Sequence, residues 1–122
     1  IIRADRGLLS QAVSNLIENA IKYTPKGGIV RLELLKNNIG SVEISVCDNG
    51  LGIPPEDRER VKGRFVRLDK SRTHPGNGLG LSLVDAVANF HNADFTISSI
   101  DDHNSKRPGL KAAIIFSKKK IK

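Results

Sequence analysis

Helix-period and strand-period segments alternate along this 122-residue chain and predict an α+β fold: a two-layer α/β sandwich with a mixed, mostly antiparallel sheet packed on about three helices. Three observations carry that prediction. Apolar residues recur every three or four positions in two long segments. Four short β-rich stretches fall into two pairs. Each pair is joined by a polar turn containing glycine.

The elements follow in order. From Arg6 to Tyr23 the residues Leu9, Ala12, Val13, Leu16, Ile17, Ala20 and Ile21 form one apolar stripe, Asp5 is placed to cap its start, and Thr24-Pro25 ends it. Ile29 to Leu35 and Ser41 to Asp48 read as strands joined by Lys36-Asn37-Asn38-Ile39-Gly40. Ile53-Pro54-Pro55-Glu56 opens a short helix. Gly63 to Gly78 shows neither period and reads as a long loop. A second long helix runs from about Gly78 to His91 with Leu81, Leu83, Val84, Val87 and Ala88 on its apolar side. Two closing strands, Asp94 to Ile100 and Leu110 to Ser117, flank a polar turn from Asp101 to Gly109.

Composition bounds the function. The length suits one domain over residues 1–122 with a modest core. There is no methionine and no leader-like start, so the chain is expected to be a piece of something longer. The single cysteine, Cys47, excludes an internal disulfide and any multi-cysteine metal site, which suits a reducing cytoplasm. No apolar run reaches membrane-spanning length, so no membrane contact is expected of this domain. The net charge of +7 raises the question of nucleic acid. However, the basic residues sit in a terminal lysine tail and between Arg58 and Arg72 with no aromatics interleaved to stack bases, so no nucleic-acid partner is expected.

Three motifs carry chemistry. On the first helix Asn15, Asn19 and Lys22 fall at roughly 0, 40 and 340 degrees around the axis, along one edge of the apolar stripe. Amide oxygens there can serve Mg2+, and Lys22 can meet phosphates; ordinary polar residues flanking a core helix are the alternative. Along the second strand, Val42, Ile44 and Val46 alternate inward, and the period of two puts Asp48 on the same side. An inward carboxylate needs a donor, which adenine's amine supplies and guanine's carbonyl does not. The alternative is the first residue of an Asp-Asn-Gly turn. That turn would lead into a strand, whereas here a helix start follows. Gly50 and Gly52 would let backbone approach a base. In the third motif, Gly76-Asn77-Gly78-Leu79-Gly80-Leu81 precedes a helix, where unpaired N–H groups suit phosphate. It is neither a dinucleotide fingerprint nor a P-loop. Arg64, Arg67, Lys70 and Arg72 in the preceding loop could close over a triphosphate or simply be solvated.

In order and spacing these segments resemble the catalytic and ATP-binding domain of bacterial sensor histidine kinases, within the gyrase, Hsp90 and MutL ATPase superfamily. Asn15 to Pro25 is similar to the N box, Asp48 to Pro54 to the G1 box, Arg64 to Arg72 to the F box, and Gly76 to Leu81 to the G2 box. The resemblance implies the Bergerat fold, with ATP and Mg2+ as cofactors. It implies metal binding by Asn19 with Asn15, and phosphate contacts from Lys22 and Tyr23; Asn15, Asn19 and Lys22 are then the catalytic residues. It further implies adenine recognition by Asp48, a nucleotide contact set extending through Gly50, Gly52, Ile53, Arg64, Arg67, Gly76, Gly78, Leu79, Gly80 and Leu81, and an ATP lid over Gly63 to Asn77. The implied reaction is transfer of the γ-phosphoryl group to a histidine on a dimerisation domain, with a response regulator as partner. The parent protein would be a homodimer, this fragment a cytoplasmic monomer.

Three features of the sequence refine that expectation. Hydrolytic superfamily members carry a glutamate four residues before the metal-binding asparagine, where it activates water; here that position is Asn15, which cannot take a proton. The family's usual aromatic three residues before Phe65 is Lys62. None of His74, His91 and His103 has the acidic neighbour and following proline of a phosphoacceptor, so the fragment alone should not autophosphorylate. The alternatives are a degenerate regulatory module of the same fold and an anti-sigma-type serine kinase.

Overall fold

The computed structural model describes residues 4–37, 39–59, 62, 80–101, 103 and 106–117. Helix α1 spans Arg6–Tyr23, as its apolar stripe requires. Asp5 caps it: the Leu8 N–H donates to Asp5 Oδ1 at 2.9 Å and the Leu9 N–H to the Asp5 carbonyl at 2.9 Å. Strands β1 (Val30–Lys36) and β2 (Val42–Asp48) follow. Their hairpin is organised by Asn37, whose Oδ1 accepts the N–H groups of Ile39 and Ser41, with Gly40 at φ 84°. The expected short helix is a single 3-10 turn, Pro55–Asp57. Helix α2 is Gly80–Phe90, followed by β3 (Asp94–Ser98) and β4 (Leu110–Phe116).

The strand order is β1-β2-β4-β3 and every described pair is antiparallel, so the parallel element of the expected mixed sheet is not among the described strands. The reason is topological. β2, α2 and β3 form a crossover whose two strands run the same way, and β4 inserts between them, leaving each neighbour opposed. Registers Val46↔Ala112↔Ile97 and Ile44↔Ile114↔Phe95 place one apolar row after another under the helices. The core joins Ala12, Leu16 and Ala20 of α1, Val84, Val87 and Ala88 of α2, and Val46, Phe95, Ile114 and Phe116 of the sheet.

The opposite sheet face is polar. Lys111 pairs with Glu43 at 2.9 Å, and the Cys47 thiol faces Glu33 Oε1 at 3.6 Å. Burial, and then the neighbouring Glu33 carboxylate, push the thiol up, so it stays protonated and a poor nucleophile. His91 is a structural histidine. Its Nε2 accepts the Asp5 N–H at 2.8 Å, which places the ring proton on Nδ1, 2.8 Å from the Val87 carbonyl. One ring thereby ties the start of α1 to the end of α2. No helix among the described residues is long and apolar enough to cross a membrane.

Asp5→Ala should cost about 1 kcal/mol of stability, lowering the melting temperature by about 4 °C, whereas Asp5→Ser should keep most of it. Thermal unfolding followed by circular dichroism measures both.

Candidate functional site

Helix α1, the two central strands and the start of α2 line a cleft between the layers. Leu16, Asn19, Ala20 and Tyr23 come from α1, Val46 and Asp48 from β2, Gly52 and Ile53 from the segment after it, Leu81 from α2, Ile97 from β3, and Leu110 and Ala112 from β4. Most of this lining is hydrocarbon. The charged exception is Asp48, only 8% exposed at the end of β2.

A carboxylate in such a place needs donors. Asp48 Oδ1 accepts the Gly50 N–H at 2.8 Å. Burial still raises its carboxyl above the ordinary range, opposed by the backbone N–H groups of Gly50 and Leu110. The bond to Gly50 makes Asp48 a turn former as well, but no strand follows: the chain continues through residues 51–54 into the 3-10 turn. The turn reading and the cleft-carboxylate reading therefore describe one geometry.

Close backbone packing holds this turn. A Cβ on Gly50 would lie 2.9 Å from the Tyr23 carbonyl, so α1 ends hard against it. Asn49 bridges to the start of β1, its Oδ1 accepting the Ile29 N–H at 2.8 Å and its own N–H donating to the Ile29 carbonyl at 3.2 Å. Behind it, the Gly109 N–H donates to the Gly50 carbonyl at 3.0 Å, and the Arg107 Nε–H to the Asn49 carbonyl at 2.9 Å.

Of the residues expected from sequence, Asn19, Tyr23, Asp48, Gly52, Ile53 and Leu81 line the cleft together. Asn15 lies one turn before Asn19 and Lys22 near the end of α1; both are half-buried, and neither forms the cleft wall. Gly50 acts from behind, through Asp48. Gly80 opens α2 with no heavy atom of the described residues within 4 Å of where a Cβ would lie. Arg64, Arg67, Gly76, Gly78, Leu79 and His74, with the whole expected lid, lie outside the described residues. The sequence reading missed the apolar bed of Leu16, Ala20, Val46, Ile97, Leu110 and Ala112 as site residues. Their strand and helix periods were visible, but the register that joins them was not.

Lys62, which replaces the expected aromatic, is packed. Its Nζ donates to the Phe95 carbonyl at 2.9 Å, lies 5.2 Å from the Phe95 ring centroid and meets Glu59 at 3.4 Å. Arg58 adds bonds to the Ile53 carbonyl at 3.1 Å and to Ser99 Oγ at 2.7 Å. Two cations thus fasten the segment after the cleft turn to β3 and the residue beyond it.

No group of three or more His, Cys, Asp or Glu among the described residues could hold a metal ion by itself. The polar groups at the α1 edge are instead amides, neutral hard-oxygen donors. They suit a cation brought in on phosphate oxygens rather than a resident metal.

The model of the histidine kinase-, DNA gyrase B- and HSP90-like ATPase family matches residues 4–119. The chain is 39% identical over 104 residues to the adaptive-response sensory kinase SasA of Rippkaea orientalis, covering 85% of this chain and 27% of that protein. It is 44% identical over 100 residues to the sensor-like histidine kinase SenX3 of Mycolicibacterium smegmatis, covering 80% and 26%. The chain thus spans about a quarter of the length of these relatives. Among solved structures, the mycobacterial sensor histidine kinase MprB superposes with a TM-score of 0.85 at 34% identity, over 95% of this chain and 76% of that one. Full-length ShkA in complex with AMPPNP gives 0.76 at 30% identity, over 93% and 22%. The chain belongs to the histidine kinase-, DNA gyrase B- and HSP90-like ATPase family, as an ATPase domain of the sensor histidine kinase kind.

Proposed function

We propose that this domain binds ATP with Mg2+ and donates the γ-phosphoryl group to a histidine on a dimerisation domain, which then passes it to a response regulator. The observation that carries this reading is the buried carboxylate at one end of an apolar cleft. Val46, Ile97, Leu81 and Ala112 offer hydrocarbon to the faces of a purine, and Asp48 offers an acceptor to its edge. Adenine presents an amine there. Guanine would set a carbonyl oxygen against the carboxylate, leaving two acceptors unpaired.

The phosphates then extend toward the α1 edge, where Asn19 lines the cleft and Asn15 and Lys22 stand one turn either side. Asn19, with Asn15, would hold Mg2+, which would neutralise phosphate charge as the transferring group leaves ADP. Lys22 and Tyr23 would steady the chain of phosphates. Asn15 keeps water unactivated, because a neutral amide accepts no proton. Transfer to an imidazole nitrogen needs no such base: the N–P bond forms as the P–O bond to ADP breaks. Catalysis is then positioning and charge neutralisation. By this reading the parent protein is a homodimer and the domain works in the cytoplasm.

Asn19→Ala should remove the Mg-dependent part of ATP affinity, on the order of tenfold, and leave Mg-free ADP binding nearly unchanged. Calorimetry with and without Mg2+ measures this, and equal losses in both conditions would sink the metal assignment.

Asp48 gives a second outcome with opposite signs. Its carboxyl is raised in the fold, so burying its charge weakens the nucleotide-free protein as pH rises through that value. The same charge is the adenine acceptor, so ADP affinity falls as pH drops through it, above the usual carboxylate range. Asp48→Asn should flatten the acid limb of ADP binding, weaken selectivity against GDP and leave the empty domain no less stable at pH 7. Calorimetry across pH 4–8 and thermal melts check the three together.

A further inference from the structure

The groove on the far side of the sheet from the cleft holds the back of the Asp48 turn, with Asn49, Arg107 and Gly109 among its lining. The decisive feature is one peptide unit. The peptide joining Asn49 to Gly50 presents its N–H to Asp48 Oδ1 at 2.8 Å and its carbonyl oxygen to the Arg107 guanidinium at 2.9 Å. We propose that Arg107 is a positioning residue for nucleotide recognition: it acts through the Asn49–Gly50 peptide to orient and polarise the N–H that holds the Asp48 carboxylate.

Two observations and one physical argument support the link. First, Arg107 reaches the turn twice, its second nitrogen lying 3.5 Å from Asn49 Oδ1, the atom that also accepts the Ile29 N–H. Second, the route is short and stiff. Gly109 sits at φ +74°, where a Cβ would lie 2.5 Å from the Asp48 carbonyl, and its N–H binds the Gly50 carbonyl. Arg107 and Gly109 therefore hold consecutive carbonyls of the turn, and rotating the Asn49–Gly50 peptide away from Asp48 means breaking the first of those bonds. Third, a cation on a peptide oxygen draws electron density from its N–H and strengthens the bond that hydrogen makes. Arg107 is exposed and is not among the described residues that line the cleft, so the route from it to nucleotide that the structure describes runs through the peptide.

The surroundings leave this route distinct. Arg31 and Lys111 both pair in register with Cys47, and so face away from Asp48 across the sheet. From α1, Tyr23 lines the same cleft and the half-buried Lys22 stands beside it. From β4, Leu110 is opposite Asp48 and offers the carboxylate its backbone N–H.

The inference deepens the adenine reading and rests on it for its functional half. The test therefore has two readouts. Carboxyl 13C titration of Asp48 in the nucleotide-free domain should move to higher pH in Arg107→Ala, because the weakened N–H no longer favours the anion as strongly. ADP affinity should fall about fivefold, with its acid limb displaced the same way, while Arg107→Lys, able to reach the same carbonyl, should recover part of both. An unchanged titration and an unchanged affinity in Arg107→Ala would overturn the link. A displaced titration in a domain whose wild type does not bind ADP would leave the link standing and overturn the adenine reading. A loss of affinity with the titration unmoved would assign Arg107 to fold stability alone and overturn the proposal.

Discussion

The constraint on which this domain depends is the cost of keeping a carboxylate in a hydrocarbon cleft. Asp48 cannot be solvated there as it would be in water, and its raised carboxyl registers the deficit. The protein supplies substitutes from its own backbone, which must come very close. Gly50 lies against the end of α1, and Gly109 lies against the Asp48 carbonyl. Gly28 lies where a Cβ would be 2.9 Å from Asn49 Oδ1. These three small residues let the α1–β1 and β3–β4 connections converge on a single turn, and the rest of the cleft is arranged around the result.

Much of this was legible in one dimension. The apolar stripe fixed α1 to the residue, because Asp5 and Thr24-Pro25 mark its two ends in unambiguous chemistry. The strand boundaries shifted by one or two residues, the usual fraying of a pattern that fades at its ends. Asp48 was placed inward by period two, and the structure puts it there. Pairing between distant strands is a different matter. That β4 lies between β2 and β3 decides which side chains floor the cleft, and nothing in the local pattern of Leu110 to Phe116 announces it. Arg107 was equally silent, one basic residue in a polar turn, because its role depends on where a neighbouring loop delivers a carbonyl. The Pro54-Pro55-Glu56 signal predicts a short helix, and the structure makes it a single 3-10 turn.

Lys62 bears on whether the fold is an active module or a degenerate one. A cation at a position that usually holds an aromatic would be a defect if its charge were stranded. Here the ammonium sits over the Phe95 ring and finds the Phe95 carbonyl and Glu59, so its charge is not stranded. The substitution keeps the segment fastened to β3 by other means. That removes the main structural reason for preferring the degenerate reading.

The remaining choice is between hydrolysis and transfer, and it turns on what the cleft lacks. An enzyme that hydrolyses ATP must hold a base where water can meet the γ-phosphate. Among the described cleft residues the sole carboxylate is Asp48, committed to the turn peptide at the end of β2, and the position preceding Asn19 by one helical turn is the amide of Asn15. A pocket so equipped would retain its nucleotide until a better nucleophile than water arrives. On the proposed reading that nucleophile is an imidazole carried by another domain. On that same reading, control of the reaction lies in when the imidazole is delivered to the cleft.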